Sequence, residues 1–188
     1  ESKKKITFIT GNPNKLKEFQ AIMSDVTHVE IDNLKIDLDE YQGTPEEIAL
    51  KKAKLAATHC DNPILVEDTS LAFNAFNGLP GPYIKDFLQQ LKPEGLHKML
   101  SSFEDKTGYA QCIFAYCENK DSEPVLFVGQ CPGKIVEPRG STDFGWDPIF
   151  EPDGYELTFA ELDKDIKNVI SHRARAVAKL REFLKTEE

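Results

Sequence analysis

A short β-branched run, Lys5–Thr10, ends at a turn signal and is followed at once by helical periodicity. The turn signal is Gly11–Pro13, and the apolar residues between Leu16 and Met23 recur three or four positions apart. A strand that passes through a tight turn into an amphipathic helix is the first half of a βαβ unit. This order favours an α/β architecture.

The next elements continue the alternation. Val26–Ile31 alternates like a second strand. Thr44–Glu47 has the form of a capping box with proline at the first helical position, which predicts a helix that ends near Cys60. A brief buried strand, Ile64–Glu67, then delivers Glu67 and Asp68 to its carboxyl end.

The second half of the chain predicts two short helices and a β-hairpin. The helices are expected near Ile84–Leu91 and Leu96–Ser102. The hairpin strands, Tyr109–Tyr116 and Val125–Cys131, are rich in β-forming residues and are joined by a polar turn. We expect this hairpin to lie in a second lobe.

The remaining segments are predicted as a loop, Pro138–Asp153, a polar stretch, Asp163–Ser171, and a last helix, about His172–Lys185. With 188 residues and no repeat or linker, the chain is expected to form one domain of two lobes over residues 1–188. The predicted fold class is α/β, with a mixed central sheet flanked by helices.

Composition excludes several classes of protein. At 40% apolar and 29% charged residues, no stretch approaches the roughly 20 apolar residues that span a bilayer, so a membrane protein is not expected. The run Ile6–Ile9 is too short for a signal-peptide core, and a cytoplasmic location is expected, although a leader lost before Glu1 stays open. The net charge of −9 argues against a nucleic-acid polymer as partner. Four cysteines without a C-x-x-C pair indicate neither a disulfide framework nor a zinc site.

The loop Thr10–Lys15 combines a glycine, two asparagines and a lysine between a strand and a helix N-terminus. Free N–H groups and the helix dipole attract anions at such a position, which predicts a phosphate site. An ordinary strand-to-helix turn, with Asn14 as the cap, is the alternative. The segment Gly129–Lys134 is not a Walker A loop, because it has three residues between its glycines and lacks the Ser or Thr after the lysine.

Two acidic clusters could hold a hard cation. Asp37, Asp39 and Glu40 share one loop, whereas Glu67 and Asp68 follow a buried strand. Magnesium uses one or two carboxylates together with phosphate oxygens and water, so one acid from each cluster suffices. For the first cluster, a solvated charge run is the alternative.

Separated lysines and two aromatic or polar loops complete the candidates. Lys15, Lys52, Lys85 and Lys167 could converge on a polyphosphate or could be surface charges. Phe144–Pro148 suits a stacked base with a polar anchor, with core filling as the alternative. Ser171–Arg173 could offer donors to a base edge or could simply cap a helix, and no catalytic triad accompanies it.

Five motifs together resemble the inosine triphosphate pyrophosphatase (Ham1-like) family. They are Thr-Gly-Asn-x-x-Lys at 10–15, Val-Glu-Asp-Thr at 66–69, Gly-Leu-Pro-Gly-Pro-Tyr at 78–83, Phe-Gly-Trp-Asp-Pro at 144–148 and Ser-His-Arg at 171–173. The match spans nearly the whole chain in the family's order. Trp146 and Ser70 make it similar to a eukaryotic-type member.

The resemblance implies hydrolysis of deaminated purine nucleoside triphosphates (ITP, dITP, XTP) to the monophosphate and pyrophosphate, which cleanses the nucleotide pool. It also implies a Mg²⁺ cofactor, with Mn²⁺ as a substitute, and a homodimer. Asp68 is expected to activate the attacking water and, with Glu40, to hold the metal. The substrate-binding residues that it implies are Thr10, Gly11, Asn12, Pro13, Asn14, Lys15, Lys52, Asp68, Thr69, Lys85 and Lys167 on the phosphate side, and Phe144, Gly145, Trp146, Asp147, His172 and Arg173 around the base.

A donor aimed at the 6-keto oxygen would reject adenine by ~10⁴-fold, because the adenine amino group would leave that donor unpaired. Guanine carries the same oxygen, so rejection of GTP must involve the 2-position. Two other functions stay open at this point: a non-catalytic nucleotide-binding module, and a phosphatase that removes the γ-phosphate.

Overall fold

The computed structural model describes residues 3–186. The strands of this range are β1 (Lys4–Ile9), β2 (Val29–Leu34), β3 (Ile64–Phe73), β4 (Pro80–Gly81), β5 (Thr107–Cys117), β6 (Val125–Ile135) and β7 (Phe150–Pro152). The α-helices are α1 (Pro13–Ile22), α2 (Pro45–Ala57), α3 (Ile84–Lys98), α4 (Lys164–Ile170) and α5 (His172–Lys185).

The strands form one mixed sheet. Their order is β2-β1-β3-β5-β6-β7, and β4 pairs with β3. Strand β1 runs parallel to β2 and to β3, whereas β4 is antiparallel to β3 and β7 is antiparallel to β6. This arrangement of helices around a mixed sheet confirms the predicted α/β fold class.

The described chain divides into two compact units. The first unit contains residues 3–68, 112–129 and 173–186, and the second unit contains residues 69–111 and 130–172. The hairpin that the sequence predicts is therefore shared: its turn and the adjoining halves of β5 and β6 belong to the first unit.

In the first unit, helices cover both faces of the strands because successive strand residues point to opposite faces. Phe8 of β1 lies on the face covered by α1 and α5, where its ring packs against Phe19 and Phe114 with centroids between 4.8 and 5.9 Å apart. Ile9 and Val66 lie on the other face, against α2. Adjacent residues of β1 and β3 thus enter different cores.

Helix α2 approaches the sheet closely because its buried face is built from small residues. Ala49, Ala53, Ala56 and Ala57 are all at most 3% exposed, and they recur at helical spacing. The predicted capping box starts this helix: the Thr44 hydroxyl accepts from the N–H of Glu47 at 3.2 Å, and the Glu47 carboxylate accepts from the N–H of Thr44 at 2.9 Å. The prediction for this helix start is confirmed.

The second unit has its own apolar core and a broken helix. Its buried residues include Leu71, Phe73, Leu96, Leu100, Ile149, Phe150 and Phe159. Helix α3 contains a non-helical residue, Lys92, at φ 61° and ψ 172°. The second helical segment follows it and begins at Pro93. Two successive helical segments are present as predicted, although the second ends at Lys98 instead of Ser102.

Strands β2, β3 and β6 differ in extent by several residues from their predictions, and β6 continues to Ile135 instead of Cys131. Strand β2 begins at Val29 because the N–H of Val26 donates to the carbonyl of Met23, which makes residues 23–26 a turn. Strand β3 continues to Phe73 because its second half pairs with β4, so Glu67 and Asp68 lie inside the strand and not at its end.

Several short elements, among them β4, β7 and α4, were not predicted. The predicted loop Pro138–Asp153 contains the 3-10 turn Asp147–Ile149 and the strand β7, which exists by pairing with β6. The polar stretch Asp163–Ser171 contains the helix α4, whose one buried side chain is Lys167. The strand β7 is only three residues long, and two of the apolar residues of α4, Ile166 and Val169, are exposed, so an apolar pattern was too short to establish either element.

The last helix, the cysteines and the membrane criterion complete the comparison with the sequence. The last helix, His172–Lys185, has the predicted bounds. All four cysteines are free thiols, as expected. Among residues 3–186, no helix has the length and apolar character that crossing a membrane requires.

Gly133 tests the pairing of β6 with β7. A Cβ atom on Gly133 would lie 2.4 Å from the carbonyl oxygen of Glu151 and 2.7 Å from the Phe150 ring. We expect Gly133→Ala to lower the free energy of unfolding by about 1–3 kcal/mol, because backbone must move to relieve the overlap. Urea unfolding measures this loss. The exposed neighbour Lys134→Ala should change stability by less than ~0.5 kcal/mol, and an equal effect of the two substitutions would contradict the close pairing.

Candidate functional site

The loop between β1 and α1 satisfies most of its own amides. The Asn12 side chain caps α1 by accepting from the N–H groups of Asn14 at 3.0 Å and Lys15 at 3.3 Å, and the N–H of Asn12 donates to the Thr10 hydroxyl at 3.1 Å. Asn12, not Asn14, is therefore the cap. Within residues 3–186, the N–H of Gly11 makes no hydrogen bond. An anion at this loop would rely on that amide and on nearby side chains.

The acidic pair of β3 lies beside this loop. The last residues that β1 and β3 pair are Ile9 and Val66, and the two strands are parallel. Thr10 directly follows Ile9, and Glu67 directly follows Val66. The loop and the carboxylates therefore begin at the same edge of the paired region. Strand β3 continues through Asp68, but its pairing with β1 ends at Val66, so Glu67 and Asp68 still lie next to the loop.

A buried ionic network surrounds Glu67. Both of its carboxylate oxygens accept from the Arg173 guanidinium, at 2.7 Å from Nε and 3.0 Å from Nη2. Arg173 Nη1 also donates to Glu18 at 3.0 Å, and the Lys15 ammonium lies 3.2 Å from Glu67. The side chains of Arg173 and Glu67 are only 2% and 1% exposed. The network connects α1, β3 and α5.

These contacts keep Arg173 cationic and oriented. Burial alone would lower the pKa of the guanidinium, but the charge and hydrogen bonds of Glu67 outweigh it and raise that pKa. Sequence patterns did not reveal Glu18, and a contact over 155 positions leaves no local signal. The predicted role of Arg173 at a base edge stays a prediction, whereas its observed contacts are with carboxylates.

Arg173→Met tests the network. Removal of the guanidinium deprives the buried Glu67 of its bidentate partner and Glu18 of a charge-assisted hydrogen bond, so we expect a loss of about 3–5 kcal/mol in the free energy of unfolding at neutral pH. Chemical denaturation measures it. The matched substitution is Lys17→Met at an exposed position of α1, where a change within ~0.5 kcal/mol is expected. Similar losses in both variants would show that the buried pairs add nothing specific.

Asp68 points to the face opposite Glu67 and meets α2. Its Oδ1 accepts from the Lys52 ammonium at 2.7 Å. Its Oδ2 is buried, and no described residue hydrogen-bonds to it. A carboxylate oxygen in that condition suits a cation or a water molecule that the protein itself does not supply. Asp68 therefore fits the predicted metal and water roles.

Glu40, the second predicted metal ligand, is an exposed residue of the segment between β2 and α2. No group of three or more His, Cys, Asp or Glu side chains suited to a metal occurs among the described residues. Magnesium sites that include substrate phosphates use only one or two carboxylates. The donor chemistry of Asp68 and Glu40 matches that pattern, and the metal stays a prediction.

In the second unit, a buried ion pair lies under an aromatic ring. The Lys167 ammonium is 2.6 Å from Asp147 Oδ2, and both side chains are less than 10% exposed. The same ammonium lies 3.9 Å from the centroid of the Phe144 ring. Lys167 was expected among phosphate ligands, but its contacts join it to two residues expected around the base.

Trp146 and His172 are packed more deeply than Phe144. The Trp146 ring is 7% exposed and lies 5.4 Å from the His172 ring, which stacks on Phe159 at 5.7 Å. Core filling therefore describes the position of Trp146. Phe144 is half-buried, which leaves part of its ring accessible to a planar ligand.

The predicted site residues fall into two sets, one in each unit. The first unit contains Thr10, Gly11, Asn12, Pro13, Asn14, Lys15, Glu40, Lys52, Asp68 and Arg173. The second unit contains Thr69, Lys85, Phe144, Gly145, Trp146, Asp147, Lys167 and His172. Lys85 is an exposed residue of α3 that lines a cavity of about 610 Å³ together with Gly145.

The fold and these residues define an α/β protein in which a helix-capping loop adjoins paired carboxylates and lysines at a strand edge. Residues 6–183 match the sequence profile of the Ham1 family. The chain belongs to this family.

Solved structures of three bacterial proteins resemble the chain over nearly its full length. A HAM1 protein from Coxiella burnetii has a TM-score of 0.86 and 30% identity, with coverage of 97% of this chain and 99% of that one. The Ham1 protein of Staphylococcus aureus has a TM-score of 0.83 and 28% identity, covering 98% and 100%. A nucleoside-triphosphatase, a dITP/XTP pyrophosphatase, from Mycobacterium abscessus has a TM-score of 0.73 and 29% identity, covering 94% and 98%.

Proposed function

We propose that this protein hydrolyses deaminated purine nucleoside triphosphates, namely ITP, dITP and XTP, to the monophosphate and pyrophosphate. The observation that carries the proposal is Asp68, whose buried Oδ2 has no partner among the described residues and whose Oδ1 is held by Lys52. Membership of the Ham1 family and the likeness to the dITP/XTP pyrophosphatase of Mycobacterium abscessus support this reaction and substrate class.

The first unit supplies groups for the phosphates and the water. Cleavage between the α and β phosphates requires positioning of water, removal of its proton and neutralisation of charge. We assign proton removal to Asp68, because Lys52 binds one carboxylate oxygen and the other has no hydrogen-bond partner among the described residues. Asp68 and Glu40 would hold Mg²⁺, or Mn²⁺ in its place, which would neutralise phosphate charge when bound.

The second unit supplies groups for the base. The ammonium of Lys167 donates hydrogen bonds and cannot accept them, so it suits the 6-oxo oxygen of hypoxanthine and xanthine and not the 6-amino group of adenine. Asp147 at 2.6 Å and the Phe144 ring at 3.9 Å fix its position. We therefore assign Lys167 to the base instead of the phosphates. Guanine shares the oxygen, so discrimination against GTP belongs to the 2-position.

A panel of nucleotides tests the proposal. In the presence of Mg²⁺, the protein should convert ITP and XTP to monophosphate and pyrophosphate, whereas GTP and ATP should react much more slowly, with kcat/KM for ITP up to ~10⁴-fold above that for ATP. Chromatography identifies the products. Unchanged ITP at saturating occupancy would indicate a binding module, and IDP with orthophosphate would indicate a γ-phosphatase. Either result would contradict the proposal.

The homodimer that the resemblance implies also remains a proposal.

Asp68→Asn tests the assigned base. Asparagine keeps the shape but cannot take a proton from water, so we expect ITP turnover to fall by at least ~10²-fold while ITP binding is largely retained. Steady-state kinetics and calorimetry measure the two quantities. The exposed Asp61→Asn should behave like the wild type. Wild-type turnover in Asp68→Asn would remove Asp68 from this role.

A further inference from the structure

Lys35, which no sequence motif identified, lies against the loop Thr10–Lys15. It follows Leu34, the last residue of β2, which pairs with Ile9 of β1. The N–H of Thr10 donates to the carbonyl of Leu34 at 3.2 Å, so the two strand ends are joined where the loop begins. Lys35 thus leaves the sheet at the same edge as Thr10.

The side chain of Lys35 packs on Gly11. From the position that a Cβ atom of residue 11 would occupy, the Lys35 Cε atom is 3.0 Å away, and its Cδ and Cγ atoms are each 3.2 Å away. These separations are tighter than ordinary contacts of a Cβ atom, so a side chain at position 11 would displace the stem of Lys35 by a few tenths of an ångström. The aliphatic stem therefore lies over Gly11, and a lysine stem in such a position leaves its ammonium in water.

Lys35 differs from the two predicted phosphate-binding lysines of the first unit in its charge balance. The Lys15 ammonium is 3.2 Å from Glu67, and the Lys52 ammonium is 2.7 Å from Asp68. Lys35 is exposed, and it makes no hydrogen bond or ion pair with any residue between 3 and 186. Its positive charge is therefore the one among these three lysines that no carboxylate offsets.

The loop needs such a charge to hold an anion. Its amides at Asn12, Asn14 and Lys15 already donate within the loop, and the chain carries a net charge of −9. A polyphosphate meets an unfavourable overall field, so affinity depends on cations placed next to the loop.

We propose that Lys35 is a further binding residue for the phosphate chain, and that Gly11 serves to admit its stem. The inference rests on the proposed function in that the loop Thr10–Lys15 holds the phosphates of the substrate. The ligand chemistry is that of a polyphosphate, independent of any base. Lys35 adds a charge-assisted hydrogen bond to a phosphate oxygen and leaves the cleavage chemistry to Asp68.

Binding of inorganic tripolyphosphate, measured by calorimetry with Mg²⁺ present, tests the proposal directly. Lys35→Met should weaken binding by about three- to tenfold, as expected for loss of one exposed charge-assisted contact, and Lys35→Arg should largely restore it. The matched control is Lys17→Met, an exposed lysine of α1 without a partner among the described residues, for which less than about a twofold change is expected. Equal effects at positions 35 and 17 would overturn the proposal, since only overall charge would matter.

Gly11→Ala tests how Lys35 is placed. Because the backbone of Gly11 lies outside the left-handed region, alanine adds no backbone strain and acts by displacing the Lys35 stem. The substitution should weaken tripolyphosphate binding in the wild type but add little in Lys35→Met. A full effect in both backgrounds would show that Gly11 does not act through Lys35.

The same variants separate this proposal from the proposed function. Because tripolyphosphate binding requires no turnover, a Lys35-dependent affinity in a protein that leaves ITP intact would support Lys35 and contradict the hydrolase. Cleavage of ITP to IMP and pyrophosphate, with the same tripolyphosphate affinity and ITP KM in Lys35→Met and wild type, would support the hydrolase and contradict the role of Lys35. Because Lys35 is exposed, an unchanged urea midpoint should accompany the substitution and confirm that folding is intact.

Discussion

The bidentate pair between Glu67 and Arg173 fixes the arrangement on which the rest of the first unit depends. Removing two such groups from water costs several kcal/mol per ion, and only good geometry with further hydrogen bonds offsets it. Here both oxygens of Glu67 are bound by Arg173, while Glu18 and Lys15 complete the charges. Because these partners come from α1, β3 and α5, a shift of any one element would expose an unpaired charge to the core. We infer that the network sets the position of the Thr10–Lys15 loop relative to β3.

Alternation along β3 separates this structural charge from the chemical one. Leu65 and Glu67 point to the face covered by α1 and α5, whereas Val66 and Asp68 point to the face covered by α2. One carboxylate is consequently saturated by Arg173, and its neighbour keeps an oxygen that no described residue binds. A shift of one residue in the register of β3 would exchange the two roles.

The sequence was informative wherever the determining contacts are local. The capping box of Thr44 and Glu47, the strand, loop and helix from residue 4 to residue 22, and the bounds of α5 all depend on residues a few positions apart. Lys167 shows what local sequence patterns cannot predict. Helix α4 is only seven residues long, and the Lys167 side chain is buried in an ion pair with Asp147, twenty positions away. Likewise, the partner of Arg173 lies 106 positions away, so no periodicity could have paired them.

Aromatic residues near position 146 show why a motif identifies a region better than it assigns roles within it. Trp146 and Phe144 are two positions apart, but the first is packed against Phe150 and His172 while the second covers an ammonium. Both side chains are aromatic, and their burial distinguishes them: Trp146 is buried, whereas Phe144 is half-buried. The accessible ring is the one suited to stack on a base.

Charge balance in the first unit explains why lysines alone do not make a polyphosphate site. Lys15 and Lys52 each lie within 3.2 Å of a carboxylate, so these two pairs contribute almost no net charge. Glu67 belongs to the buried network, and Asp68 would repel a nearby phosphate if Lys52 were absent. Anion binding therefore requires positive charge beyond these pairs. Lys35, whose stem lies on Gly11, provides one such charge within the chain, and a divalent cation on Asp68 would provide the other.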